Sequence, residues 1–194
     1  FFILGILIFI FSIGPEHKIY SQIGIGIIWT LLLLCTNLSI KKFYQDDFND
    51  GGMVLFFISG ITFEFIVILK IITAWIFFQF PFLLIIPIAC LLLDVEQSKI
   101  LLLLMTFAAG SPILTLISSI SGSMNLLNDK NFLIGSIIVM LLSIPVIIFS
   151  VNIVEAPAEL IRSQLNILLG ILMLFLGITP WISAFCIRIA LRGQ

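Results

Sequence analysis

Apolar residues in this chain come in runs, each closed by a short cluster of charged or turn-forming residues. The first run ends at Ile13, and Gly14-Pro15-Glu16-His17-Lys18 then reads as a polar turn. A second run, from about Ile23 to Ile40, is just long enough to cross a bilayer as a helix. It is followed by 41–52, Lys41-Lys42-Phe43-Tyr44-Gln45-Asp46-Asp47-Phe48-Asn49-Asp50-Gly51-Gly52, the longest polar stretch present. Met53 to Leu93 is then predominantly apolar for 41 residues, too long for one span and short for two with a turn. Gly60, Glu64 and Lys70 fall in its first half. Met53 to Phe63 therefore reads as interfacial or shallowly inserted, and the span itself as about Phe65 to Leu93. Pro81 and Pro87 lie within that span, and each removes a backbone donor and favours a bend.

Asp94, Glu96 and Lys99 mark the next exit from the membrane. The pattern predicts a fourth span over Ile100–Ile120, interrupted by Gly110-Ser111-Pro112, and a turn over Asn125–Lys130. A fifth span covers Phe132–Val151 and contains Pro145. Asn152 to Ser163 reads as a polar connection with Glu155, Glu159 and Arg162. A sixth span covers about Leu165 to Ile187, before a basic tail with Arg188 and Arg192. The fold class is thus all-α: a polytopic helical membrane protein of six transmembrane helices forming a single domain over 1–194. The chain opens at Phe1 inside an apolar run, so the first span reads as truncated and the chain as lacking its natural N-terminus. A signal peptide fits less well, because no basic segment precedes the run and no small-residue cleavage site follows it.

Composition agrees. Of 194 residues 61% are apolar and only 10% charged, and the mean hydropathy is +1.32. So few polar residues cannot cover a water-soluble particle of this size, which excludes a soluble enzyme or a disordered chain. Nine basic and ten acidic residues give a net charge of −1, with no basic stripe for nucleic acid. The basic residues also set an orientation. Lys41, Lys42, Lys130, Arg188 and Arg192 lie on one side, against Lys18, Lys99 and Arg162 on the other. This places 41–52, the 124–131 loop and both termini in the cytoplasm.

Candidate chemistry is sparse. Cys35, Cys90 and Cys186 lie in apolar runs without ligand spacing and read as small hydrophobic filler. His17 is the single histidine, so the chain cannot supply two histidines to a haem or build a histidine zinc centre. No Walker A sequence and no serine–histidine–acid constellation is present. These features predict no catalytic residue, no metal and no cofactor held by this chain. Trp29, Trp75 and Trp181 read as packing or interface anchors. Glu64 and Lys70 are the ionisable groups nearest the membrane interior, either functional at depth or snorkelling to an interface. In the 41–52 segment, a helix would put Asp46, Asp47 and Asp50 within an arc of about 100°, with Tyr44 and Phe48 on the neighbouring arc. Gly51-Gly52 would stop it. Three readings stand: a solvated loop, a helix docking on another protein, and a three-carboxylate metal site.

The order of several segments carries a resemblance. They are Ser12-Ile13-Gly14-Pro15-Glu16, Gly26-Ile27-Ile28-Trp29 and Tyr44-Gln45-Asp46-Asp47-Phe48-Asn49-Asp50-Gly51, then Lys70, Trp75, Pro81 and Pro87, and finally Gly110-Ser111-Pro112. In this order and spacing, over nearly the whole chain, the sequence resembles CcmB, the permease subunit of the ABC-type haem exporter of cytochrome c maturation. The family's sharpest motif is F-x-x-D-x-x-D-G between spans two and three. Asp47, Asp50 and Gly51 match it, and Tyr44 stands in place of Phe. The family continues with a small residue, Leu and Glu, where this chain has Gly52, Met53 and Val54.

The resemblance implies an ABC-2-like permease whose 41–52 segment is a short cytoplasmic coupling helix, docking in a cleft of a separate ATP-binding cassette subunit. On that basis Tyr44 and Phe48 are expected to pack into the cleft, and Asp47 and Asp50 to pair with basic groups there. Gly51 completes the expected ATPase-coupling set. The resemblance further implies haem as cargo, moved or released from its periplasmic chaperone, with ATP hydrolysed by the partner. Other haem-handling membrane subunits and a second copy of this chain are the remaining partners. The expected place is a bacterial inner membrane, with the mitochondrial inner membrane as a second setting. Two competing readings remain: another ABC-2-type exporter, of lipid or drug, and a membrane-embedded enzyme or passive structural subunit. The enzyme reading needs convergent polar groups at depth, and Glu64 and Lys70 are almost the only ones.

Overall fold

A computed structural model describes residues 1–14, 17–39, 43–127 and 132–192. The turn residues expected at Pro15-Glu16, the Lys41-Lys42 pair, residues 128–130 of the following turn and the side chains of His17 and Lys18 lie outside that description. The described chain is all helical. Helix α1 (Phe2–Ile13) stops at Gly14, whose φ of 79° suits glycine, and the Tyr20 hydroxyl donates to the carbonyl of Ile10 at 2.7 Å across the break. Helix α2 is His17–Ser39, and two short helices follow, α3 (Gln45–Asn49) and α4 (Gly52–Ile58). Helix α5 (Phe63–Ala74) runs through one π-turn (Trp75–Gln79) into α6 (Phe80–Leu92), and α7 (Gln97–Asn125), α8 (Phe132–Glu155) and α9 (Ala158–Arg192) complete the chain.

Four stretches are long and apolar enough to cross a membrane: Phe63–Leu92, Gln97–Asn125, Gly135–Glu155 and Ala158–Arg192. Two shorter apolar helices, Phe2–Ile13 and Gln22–Leu38, accompany them. The chain is therefore a polytopic helical membrane protein. Large side chains such as Phe77, Leu84, Leu141, Met173 and Trp181 stand on its outer face, as a lipid-facing surface requires.

Three expectations are corrected. Gly110-Ser111-Pro112 does not interrupt its span, since α7 is one helix of 29 residues with Pro112 inside it. A membrane helix tolerates such a proline where neighbouring helices support it, and here the indole N–H of Trp75 donates to Ser111 Oγ at 3.0 Å. Pro81 and Pro87 both lie within α6, and the irregular turn of this span is the π-turn just ahead of Pro81, where the N–H of Phe80 reaches back five residues to the carbonyl of Trp75. The polar connection expected over 152–163 is mostly helix. Only Ala156 and Pro157 separate α8 from α9, and Glu159 sits in the first turn of α9 where the helix dipole favours an acid. Arg188 and Arg192 likewise belong to α9 and not to a tail.

Helix α7 is the centre of the molecule. Along Gly110–Ser123 it is lined with small and hydroxyl residues, so neighbouring backbones come close. Added atoms would not fit: a Cβ on Gly110 would lie 2.6 Å from the ring of Trp29. Its buried hydroxyls bond largely to their own helix, as Ser118 does to the carbonyl of Leu114 at 2.8 Å. Three apolar clusters share this helix. One joins it to α1, α2 and α6 around Trp29 and Phe107, and another to α8 and α9 around Ile117, Val146 and Leu168. The third joins it to α5, α9 and the 43–53 segment around Tyr44, Met53, Val67 and Ile187.

The two ends of the bundle differ. One gathers α3, the first turns of α5 and the last turns of α7 and α9. The other carries Gln22, Asp94, Glu96, Lys99 and Glu155 around an open cleft.

Candidate functional site

The site is built on the connection between α2 and α5. Helix α3 is only five residues long and buries none of its own side chains fully. It ends because Gly51 turns to a φ of 76°, a left-handed conformation that other L-residues rarely adopt. Asp50 caps it, its N–H bonded to the carbonyl of Asp46 at 2.9 Å. Helix α4 begins at once with Gly52, where a Cβ would press on the carbonyl of Asp47 at 3.3 Å. A second left-handed glycine, Gly60 with φ 75°, separates α4 from α5. Met53 to Thr62 thus forms a short helix and a turn ahead of the long span, which begins at Phe63, with Leu55 and Ile58 exposed and Met53 buried.

Tyr44 precedes α3 and is completely buried. Its hydroxyl lies 2.8 Å from Ser119 Oγ on α7, and Ser119 Oγ lies 3.1 Å from Ser183 Oγ on α9. Burial pushes the Tyr44 phenol above its ordinary pKa, and hydrogen bonds to the two serines partly offset this, so the ring stays neutral. Tyr44 therefore faces its own bundle.

Lys70 reaches the same segment from α5. Its ammonium pairs with the carboxylate of Asp47, donates to the carbonyl of Phe43 at 2.9 Å, and sits 5.1 Å from the centre of the Tyr44 ring. Asp47 is thus engaged inside the chain. Asp46 and Asp50 are exposed, and Phe48 is half-buried against the Tyr44 cluster. Among the described residues no group of three His, Cys, Asp or Glu converges as a metal site would need.

Glu64 and Lys70 do not form one site. Glu64 accepts a bond from Arg188 of α9 at 2.7 Å, and the Arg188 guanidinium stands 5.9 Å from the Phe63 ring. Each of the two ionisable groups on α5 thus has its own partner, one on α9 and one beside α3. The structure brings together Tyr44, Asp47 and Lys70, and keeps Phe48, Asp50 and Gly51 on the outer rim of the same segment.

Ser119 and Ser183 had no place in the sequence reading. The signal available was the run of small and hydroxyl residues at helical spacing in α7: Ser111, Thr115, Ser119 and Ser123, all four buried. A second polar feature lies deeper. Gln79, at the end of the π-turn, donates to Thr36 Oγ1 at 2.8 Å beside a cavity of about 80 Å³ that Thr115 and Ser118 also line.

The family described as CcmB protein matches residues 1–190. A heme exporter protein B of Haemophilus influenzae is 32% identical over 193 residues, covering 98% of this chain and 87% of the relative. The heme exporter protein B of Rhodobacter capsulatus is 28% identical over 194 residues, covering 99% and 89%. That of Escherichia coli K12 is 27% identical over 192 residues, covering 99% and 86%. The family match spans nearly the whole chain, including the Tyr44–Gly51 segment and every long helix, and the chain belongs to the CcmB family.

Proposed function

We propose that this chain is the membrane permease subunit of an ABC transporter that serves cytochrome c maturation. The observation that carries the reading is end-to-end similarity to proteins named heme exporter protein B. ATP is hydrolysed by a separate cassette subunit, and the work done is haem delivery: haem is moved, or released from its periplasmic chaperone. Two copies of the chain form the membrane part, in company with other haem-handling membrane subunits. The six apolar segments α1, α2, α5–α6, α7, α8 and α9 are its spans, in a bacterial inner membrane. A mitochondrial inner membrane is the second setting.

Helix α3 lies between the second and third of these segments, on the side the basic residues assign to the cytoplasm. The docking face differs from the one expected from the motif. With Tyr44 buried in its own bundle and the partly exposed Asp47 carboxylate paired with Lys70, the groups that meet the cassette subunit are Phe48, Asp46 and Asp50. Phe48 supplies the apolar contact and the two acids attract basic groups.

Complementation tests the function. The chain is expressed in a bacterium lacking its own family member, and covalent haem on c-type cytochromes is read by haem stain on a denaturing gel. Restored staining is the expected result. Stable membrane insertion and recovery of the cassette subunit without staining would point instead to another ABC-2-type exporter, of lipid or drug.

A further inference from the structure

A lysine near a membrane boundary ordinarily extends its ammonium to water. Lys70 does not. Its side chain is 24% exposed, and its ammonium takes three partners from five consecutive residues: the Phe43 carbonyl, the Tyr44 ring and the Asp47 carboxylate. One partner is backbone, so the contact fixes where the chain runs as well as which side chains it carries. From the other direction Tyr44 enters the bundle and meets Ser119, which meets Ser183. The start of α3 is thereby tied to α5, α7 and α9. Beyond it Met53 still packs into the same cluster, but Gly51 and Gly60 bracket α4 with left-handed turns and most of the described side chains of α4 point outward.

We propose that Lys70 is a positioning residue for energy coupling: it pins α3 to α5, so that displacement of α3 moves the transmembrane helices rather than the connection alone. The Tyr44–Ser119–Ser183 contact carries the same displacement to α7 and α9. The inference rests on the reading of α3 as the face that meets the cassette subunit. Coupling of this kind is a free-energy difference between two states of the bundle, and it is lost when the pin is removed even if both partners still bind. Without Lys70, displacement of α3 no longer reaches α5, and only the Tyr44 contact to α7 and α9 remains.

The test uses the full chain produced with its cassette subunit and the other maturation proteins, with Lys70→Met, Lys70→Arg, Asp47→Asn and the double variant Lys70→Met/Asp47→Asn. Three quantities are read: recovery of the cassette subunit with the permease, ATP hydrolysis by the purified complex, and covalent haem on c-type cytochromes. Lys70→Met and Asp47→Asn should each recover the cassette subunit fully, yet lower covalent haem per ATP hydrolysed about 10-fold. The double variant should be no worse than Lys70→Met, because Asp47 acts through the ammonium that this variant already removes. Lys70→Arg keeps the cation and should retain most of the yield. Asp47→Asn removes the ion pair from the exposed side and decides the matter should Lys70→Met fail to accumulate. Unchanged haem per ATP in the single variants, or losses that multiply in the double one, would overturn the inference. Failure of the unmodified chain to recover the cassette subunit or to support haem attachment would overturn the functional reading first, and the pin with it.

Discussion

Tyr44 carries the largest difference between what the sequence suggested and what the fold does. Its motif position pointed it at a partner protein, whereas it is completely buried in its own chain. The reason it could not be placed is physical. A helix of five residues has too few turns to define a face, and the hydroxyl that receives Tyr44 is 75 residues away on α7. Asp47, Asp50 and Gly51 were legible as a motif, yet which acid is paired within the chain and which stands exposed depends on Lys70, which the sequence could place only near the membrane. Burial of Tyr44 makes a pH prediction. Its native pKa is raised, so the folded state keeps a proton that the unfolded chain loses at about pH 10. The stability it contributes is complete below about pH 10 and falls as pH rises beyond. Thermal unfolding in detergent should show Tyr44→Phe weaker than the parent at pH 8 by about 0.5–1.5 kcal/mol. The gap should narrow above pH 10, and a constant gap would contradict a buried neutral phenol.

Helices were the more legible level, because apolar runs of bilayer length leave few alternatives. The four long spans and the break between α2 and α5 were all readable from hydropathy. Interruptions were not. Gly110-Ser111-Pro112 has the composition of a break, but Gly110 is there to admit Trp29 and Ser111 to receive Trp75. Both reasons are tertiary, and the residues involved lie on other helices. Charged residues misled in the same way near 152–163, where they decorate helix ends rather than a loop. The packing account makes its own prediction. In Gly110→Ala the new methyl meets the Trp29 ring, and overpacking should cost about 1–3 kcal/mol in thermal unfolding. Trp29→Phe removes the outer ring atoms involved, so the double variant should lose less than the two single losses combined. Additive losses would mean that the two residues do not touch.

At the scale of the whole molecule, a central helix lined with small residues over Gly110–Ser123 packs against the other long apolar helices, and the short α3 is fastened at one end of that bundle. Composition alone indicated a membrane protein, and the ordered motifs indicated the family. The attachment of α3 to three helices at once could come only from the fold. The central claim is that α3 is where the cassette subunit acts. A photo-activatable cross-linking residue in place of Asp50, in the chain produced with its cassette subunit, tests it most directly. The same residue in place of Ala156, in the turn between α8 and α9 at the opposite end of the bundle, is the control. The account predicts that irradiation joins the cassette subunit to position 50 and not to position 156. Capture from position 156 alone, or equal capture from both, would contradict it.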